Sequence, residues 1–403
     1  MARTARQVLT RTAADYNEIR PLAELCKAGK LYEVEDWIRQ GKPIDPPIPP
    51  KGRQRTPLLI AIERGFHSLV LLLLRSGASL EQNGDVLAFA LQCNRHDLIE
   101  LLFQFGADVQ SVDFEYVGHT WNPLTMRLFI EKGLDPLEDN NFGKVLHCKV
   151  RTAIGVFKEY KSRIPGLQQQ ADMALRRFCR DGNLKWVCLL LWAGANPRAR
   201  VPDLYDEEEP EDYRSGLEQA VHCGRHEVIK KIGINPREDD LTEVAVWASI
   251  ADSSTELLQD LIRMGAKLNN KPNSGSDVLE RLLWQLGWYS DPRPLFGDRS
   301  TSKIENVLQR IKLVIESGAR WIPSESHEYR SLRKTLYQLE IRYVLDLVRS
   351  LRSRAASSDE DLAKLLDQPR MKDHLGGFAE LGKLLPAFRE PKSRSMASRS
   401  RHG

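Results

Sequence analysis

Residues 56–78 read TPLLIAIERGFHSLVLLLLRSGA. Pro57 falls at a helix start, where its missing N–H has no intrahelical partner to lose. Gly65 and Gly77 stand twelve residues apart and bracket a second short helix, because glycine tolerates the left-handed backbone that ends one. Val70, Leu73 and Leu74 lie seven, four and three residues before Gly77, which places all three on one helix face. Small Ala61, four before Gly65, lets the two helices approach closely. The stretch is therefore helix, tight turn, helix, loop.

The same bracket recurs on both sides. Gly29 precedes Gly41 by twelve, Asn94 precedes Gly106, and Gly182 precedes Gly194. A Gly-Ala step closes the units at Gly77-Ala78, Gly106-Ala107, Gly194-Ala195, Gly265-Ala266 and Gly318-Ala319. The apolar triplet returns as Val34, Trp37, Ile38; Ile99, Leu102, Phe103; Met126, Phe129, Ile130; Val187, Leu190, Leu191; Leu258, Leu261, Ile262; and Ile311, Val314, Ile315. Pro21-Leu22, like Pro57, is read as lying at or near the first turn of a helix. A chain built from such units buries each apolar face against the next unit.

Thr56-Pro57-Leu58 through Ala61, Gly65, His67, Val70, Leu73-Leu74 and Gly77-Ala78 resembles the ankyrin repeat family. Leu59 departs from it, standing where that family prefers histidine. The resemblance covers most of residues 17–322. It fades between Gly133 and Gly182, where Asn141 to Pro165 is expected to form a degenerate helix pair. It lapses again at Gly224 to Pro236, where Ile229, Ile232 and Gly233 imply a shortened second helix. The fold implied is all-α, an ankyrin-type helix-turn-helix solenoid with a C-terminal helical cap. Its concave side would be a preformed surface for capturing a protein.

The expected organisation is a basic N-terminal arm (1–16), a repeat array (17–325, degenerate at about 134–168 and 224–236), capping helices (326–390) and a disordered basic tail (391–403). Tyr329 to Arg354 carries Leu332, Leu336, Leu339, Tyr343, Val344 and Leu347 at helical intervals and reads as one helix. Ser358 with Asp361 looks like a capping box for a further helix, Asp359 to Leu366. Pro43 to Pro50 reads as a stiff connector between the first two repeats.

With 403 residues, 41% apolar and 28% charged, the chain is neither wholly disordered nor collagen-like. Its longest apolar runs, Leu69–Leu74 and Val187–Trp192, are far short of the roughly 20 residues that cross a bilayer, so no membrane role is expected. Six cysteines in so long a chain point to a reducing compartment, with a cytoplasmic location as the expectation. The net charge of +4 is uneven: Lys392, Arg394, Arg399 and Arg401 lie in the last thirteen residues, which contain no acid.

The sequence carries few motifs that point to chemistry. Cys93 with His96, and His222-Cys223 with His226, have half the spacing of a zinc site. The repeat register explains them instead. His67, His96 and His226 each follow a turn residue by two, where they are expected to tie the helix start to the turn. Cys93 and Cys223 each precede one, and Cys26 and Cys179 fall three before. No metal ligand set, cofactor or small-molecule substrate is assigned. Gly377 to Lys383 has phosphate-loop spacing, but Leu384 stands where a hydroxyl is needed and no strand precedes it. With no nucleophile or zincin motif either, the chain reads as non-enzymatic.

The partner expected is another protein. Trp288, Tyr289, Arg293, Phe296 and Arg299, in a loop taken as Trp288 to Lys303, are the types that anchor interfaces, with core packing, and Trp288 in the preceding helix, as the alternative. Asp206 to Asp212 holds six carboxylates in seven residues. Within it Glu207, Glu208, Glu209, Glu211 and Asp212 would steer a basic partner. An alternative is nucleic-acid association through Arg330, Arg333, Lys334, Arg342, Arg349, Arg352 and Arg354 with the basic tail. A third reading makes the array a regulatory or substrate-capturing subunit of an enzyme encoded elsewhere.

Overall fold

The computed structural model describes residues 12–47, 55–206, 209–210, 213–250, 255–272, 275–290, 301–320, 333, 335–336, 338–354, 359–366, 380 and 382–385. Among them every regular element is a helix, apart from two isolated bridges, Thr12 with Asp45 and Val201 with Arg214. No described helix is long and apolar enough to cross a membrane. The helices come in pairs: α1 (Tyr16–Lys27) and α2 (Leu31–Arg39), α3 (Pro57–Glu63) and α4 (His67–Arg75), α5 (Val86–Gln92) and α6 (His96–Gln104). Next come α7 (Phe114–Gly118) and α8 (Pro123–Glu131), α9 (Asn141–His147) and α10 (Ala153–Tyr160), α11 (Gly166–Asp181) and α12 (Leu184–Ala193). The last pairs are α13 (Gly216–His222) and α14 (His226–Ile232), α15 (Leu241–Ile250) and α16 (Thr255–Met264), α17 (Val278–Ser290) and α18 (Thr301–Glu316). Helices Ile341–Arg354 and Asp359–Leu365 follow.

One backbone device closes every clean turn. At Gly65, φ is +69°; its N–H donates to Ile62 O, and the next N–H, from Phe66, reaches back to Ala61 O at 3.0 Å. The Gly-Ala step at the end of each second helix repeats this geometry, with Ala78 N–H on Leu73 O and Ala107 N–H on Leu102 O, both at 3.0 Å. Orphan carbonyls at both helix ends are thereby satisfied.

The degenerate region keeps this device with unexpected residues. Trp121 (φ +57°), twelve before Gly133, ends the α7 turn, and Lys149 (φ +65°) ends that of α9. Val150 N–H then reaches Val145 O, as Phe66 N–H reaches Ala61 O. Asn141 to Pro165 is thus a helix pair in register. The second helix at Gly224 to Pro236 is short as expected, ending at Ile232 before Gly233 (φ +76°).

The triplets bury as stacked faces should. Val34, Val70, Ile99, Met126, Val187, Leu258 and Ile311 are buried without exception, and the residue three further on is buried in every unit but the first, where Trp37 is half-buried. The i+4 residue is only half-buried except at Leu74 and Ile315, so it marks the edge of the stack.

The chain forms two compact units, Met1–Leu175 with Leu189–Ala195, and Arg176–Cys188 with Asn196–Gly403. In the first, the first helices α1, α3, α5, α7 and α9 pack each on the next, as do α2, α4 and α6. In the second, α13, α15 and α17 do the same, α16 packs on α18, and α18 carries Ile341–Arg354 as a cap.

Several expectations need correction. Pro21 lies inside α1 rather than in its first turn, because Asp15 starts the helix upstream by accepting the N–H groups of Asn17 and Glu18. The cap is not one continuous helix. The chain bends at Leu339, and the Glu340 carbonyl accepts from Tyr343 and Val344 to begin a new helix. His96 ties one repeat to the next instead of the helix start to the turn, its Nδ1 lying 3.1 Å from Thr125 Oγ1 on α8. The connector is pinned at Asp45: this buried carboxylate accepts the Ser79 N–H at 3.0 Å and the Asn83 amide at 2.8 Å. Residues 48–50, and Ser358 of the capping box, lie outside the described residues.

Candidate functional site

The second unit presents a strip of aromatic and arginine side chains across its first helices. Its buried end begins with His222 on α13, whose ring meets Trp247 of α15 edge-on at 5.6 Å and 89°. Trp247 is almost fully covered, and its indole N–H donates to Glu243 Oε1 at 2.9 Å. Glu243 shares the Arg200 guanidinium with Glu218, at 3.3 and 3.1 Å. Glu218 also closes a capping box with Ser215 at the start of α13. A buried ionic network therefore fixes the indole from behind.

Arginines cover the other side of that indole. The Arg214 guanidinium lies 4.3 Å from the Trp247 ring centre, and Arg281 of α17 lies 5.9 Å from Trp247 and 5.6 Å from Trp284. Burial, then the nearby Arg214, Arg281 and Arg180, push the His222 pKa down to about 4, so the imidazole is neutral at pH 7. The strip then opens to solvent. Trp284 and Trp288, one helical turn apart on α17, lie 5.6 Å apart with a 34° tilt. They are 49% and 46% exposed, although large apolar side chains normally leave water.

The residues expected to bind fall as follows. Trp288 and Tyr289 belong to the last turn of α17, so the expected loop starts later than Trp288. Tyr289 is half-buried, takes a hydrogen bond from Gln285 at 3.4 Å and lies under Lys303 of α18 at 5.5 Å. Arg293, Phe296 and Arg299 lie outside the described residues, as do Glu207, Glu208, Glu211 and Asp212. Glu209 is exposed. The acidic segment is anchored at its base: Arg177 bonds buried Asp203 at 2.9 Å and comes within 4.0 Å of exposed Asp206. Two cation–π partners and a buried carboxylate thus support residues that spacing alone does not single out. Trp247 sits in a helix apolar on nearly every side, and nothing in its sequence position distinguishes it from core.

The basic C-terminal residues are spoken for where they are described. Arg342 pairs with Glu340 at 2.8 Å, Arg349 with Asp346 at 3.2 Å and Glu380 at 3.7 Å, and Arg352 with Asp359 at 3.2 Å and with the Leu384 carbonyl. Arg333 is half-buried; Arg330, Lys334 and the Arg354 side chain lie outside the described residues. The Cys93–His96 and Cys223–His226 spacings gather no third ligand among the described residues.

No family model matches the chain, and no curated protein does. Among solved structures, the human ASB11 ankyrin repeat domain is similar at 17% identity over 75% of this chain and 99% of its own, with a TM-score of 0.22. So low a TM-score adds nothing to the fold, which stands on the helix pairs and turns described above.

Proposed function

We propose that the protein is a non-enzymatic recognition scaffold that captures a partner protein on the first-helix face of its second unit. The observation that carries this reading is the exposed Trp284–Trp288 pair beside Arg281, on a base held rigid by Trp247, Glu243 and Arg200. Tryptophan and arginine dominate the energetics of protein interfaces, and a preformed frame spares the ordering entropy of binding. Tyr289, on the same helix, and Arg293, Phe296 and Arg299, which follow it in the sequence, are proposed as further contacts for the same partner. Glu207, Glu208, Glu209, Glu211 and Asp212 steer a basic partner toward it. A nucleic-acid role is not carried further, because the described arginines of the C-terminal helix already face carboxylates.

Replacing Trp284 and Trp288 together by Ala tests the reading. Both rings are half in water, so the fold should survive, at a cost of roughly 2–4 kcal/mol for the apolar area that the pair does bury. Proteins recovered with the wild-type chain, quantified by mass spectrometry, should drop at least tenfold with the double variant. Equal recovery by a folded variant would remove the strip as the docking surface.

A further inference from the structure

A cluster outside this strip gathers three different donor types. Glu115 and His119 are four residues apart, so one face of α7 and its C-cap carries both. Cys148 is the C-cap of α9, the first helix of the next pair. His119 and Cys148 thus hold the same place in consecutive units, and stacking sets them side by side. The Glu115 carboxylate, the His119 imidazole and Cys148 Sγ all lie within 4.8 Å of one another.

The approach is built into the packing. Gly118 touches Val145 of α9 so closely that an added Cβ would overlap both valine methyls. Lys149, in the left-handed conformation, ends the α9 turn directly after Cys148. Lys144 stands 4.0 Å from Glu115 Oε2, and His119 Nε2 lies 3.8 Å from Glu115 Oε1.

We propose that Glu115, His119 and Cys148 form a surface site for one divalent transition-metal ion of the zinc type. Thiolate, imidazole and carboxylate suit such an ion, and three protein ligands leave a fourth position for water. Tetrahedral ligation at about 2.0–2.3 Å puts ligand atoms roughly 3.3–3.7 Å apart, so the exposed side chains need to close by about 1 Å. On binding, the Cys148 S–H proton passes to solvent and the Lys144 ammonium turns away from Glu115. The ion then clips α7 to α9, joining two neighbouring repeats in the region where the repeat pattern is weakest.

The metal-free full chain titrated with Co²⁺ tests this. The expected result is one ion per chain, with a near-ultraviolet thiolate-to-cobalt band and the intense visible bands of four-coordinate cobalt, displaced by Zn²⁺. Cys148→Ser should abolish the thiolate band and His119→Ala should weaken binding at least tenfold, while Cys93→Ser leaves both intact. Gly118→Ala, which pushes the helices apart, should also weaken binding at least tenfold. Cys148 is exposed, so its variant keeps the fold even where Gly118→Ala does not. A thiolate band that persists in Cys148→Ser, or no band at millimolar Co²⁺, would overturn the site.

Discussion

Two buried carboxylates share the Arg200 guanidinium, and replacing it by Met keeps the length of its stem while deleting the charge. Glu243 and Glu218 are 2% and 10% exposed in their side chains, against 26% for Arg200. Removing one partner from a buried ion pair typically costs about 3–5 kcal/mol. The lower end, about 3 kcal/mol at pH 7, is expected here, because Arg200 is partly hydrated and the carboxylates keep the N–H groups of Ser215 and Trp247. The loss also carries a pH signature. Burial already holds the Glu218 carboxyl above the usual range, with the Ser215 N–H and Arg200 opposing it. Deleting Arg200 raises that folded-state pKa further. A carboxyl whose pKa is higher folded than unfolded loses stability as pH rises, by about 1.4 kcal/mol per unit between the two values. The deficit of Arg200→Met should therefore be largest at pH 7 and shrink toward pH 4.5, and Arg200→Met with Glu243→Gln should recover at least half of it. Urea unfolding of both variants and wild type, at pH 7 and 4.5, measures this. A deficit below about 1 kcal/mol, or one that does not change with pH, would refute the reasoning.

Two further outcomes follow from the same packing. The His222 pKa is lowered to about 4 in the folded chain from an ordinary 6.5, so the unfolded chain takes the proton first and stability falls as pH drops through that window, by up to about 3 kcal/mol. His222→Gln should flatten this acid slope in thermal melts between pH 7 and 4; an unchanged slope would place its cause elsewhere. Asp45→Ala leaves the half-buried Ser79 N–H and one of the two hydrogens of the buried Asn83 amide without an acceptor, the other staying on the Ser79 carbonyl, and should cost about 1–3 kcal/mol in urea unfolding, whereas a neutral effect would mean that the connector is not held there.

The paired helices were legible because their punctuation is local: glycine at both ends of a twelve-residue bracket and a buried triplet between them need no tertiary information. Trp121 and Lys149 escaped because a bulky residue can be held in the left-handed region when the helices on either side are packed, and only the spacing to Gly133 hinted at the first. Pro21 misled because proline is tolerated at a helix start, while a capping aspartate six residues upstream moved that start. The bend at Leu339 breaks a run whose apolar spacing stays helical on both sides, so periodicity carried no sign of it. Of the candidate strip, Trp288 was legible as an aromatic that either meets a partner or packs in the preceding helix, and Tyr289 beside it is half-buried. Trp247, His222 and Arg281 were not legible, since only the stacking of α13, α15 and α17 brings them together. Cys148 meets Glu115 and His119 by the same logic, since it lies one repeat further along the chain.

One register runs even through the units whose sequence has drifted, and Lys149 tests it most directly. If Lys149 occupies the turn place that Gly65 fills in the clean repeat, Lys149→Gly relieves a left-handed side chain and should stabilise the protein by about 0.5–1 kcal/mol, while Gly65→Ala should destabilise it by about 1–2 kcal/mol. Opposite signs in urea unfolding of the two variants are the predicted result. A loss of stability in Lys149→Gly would contradict the shared register.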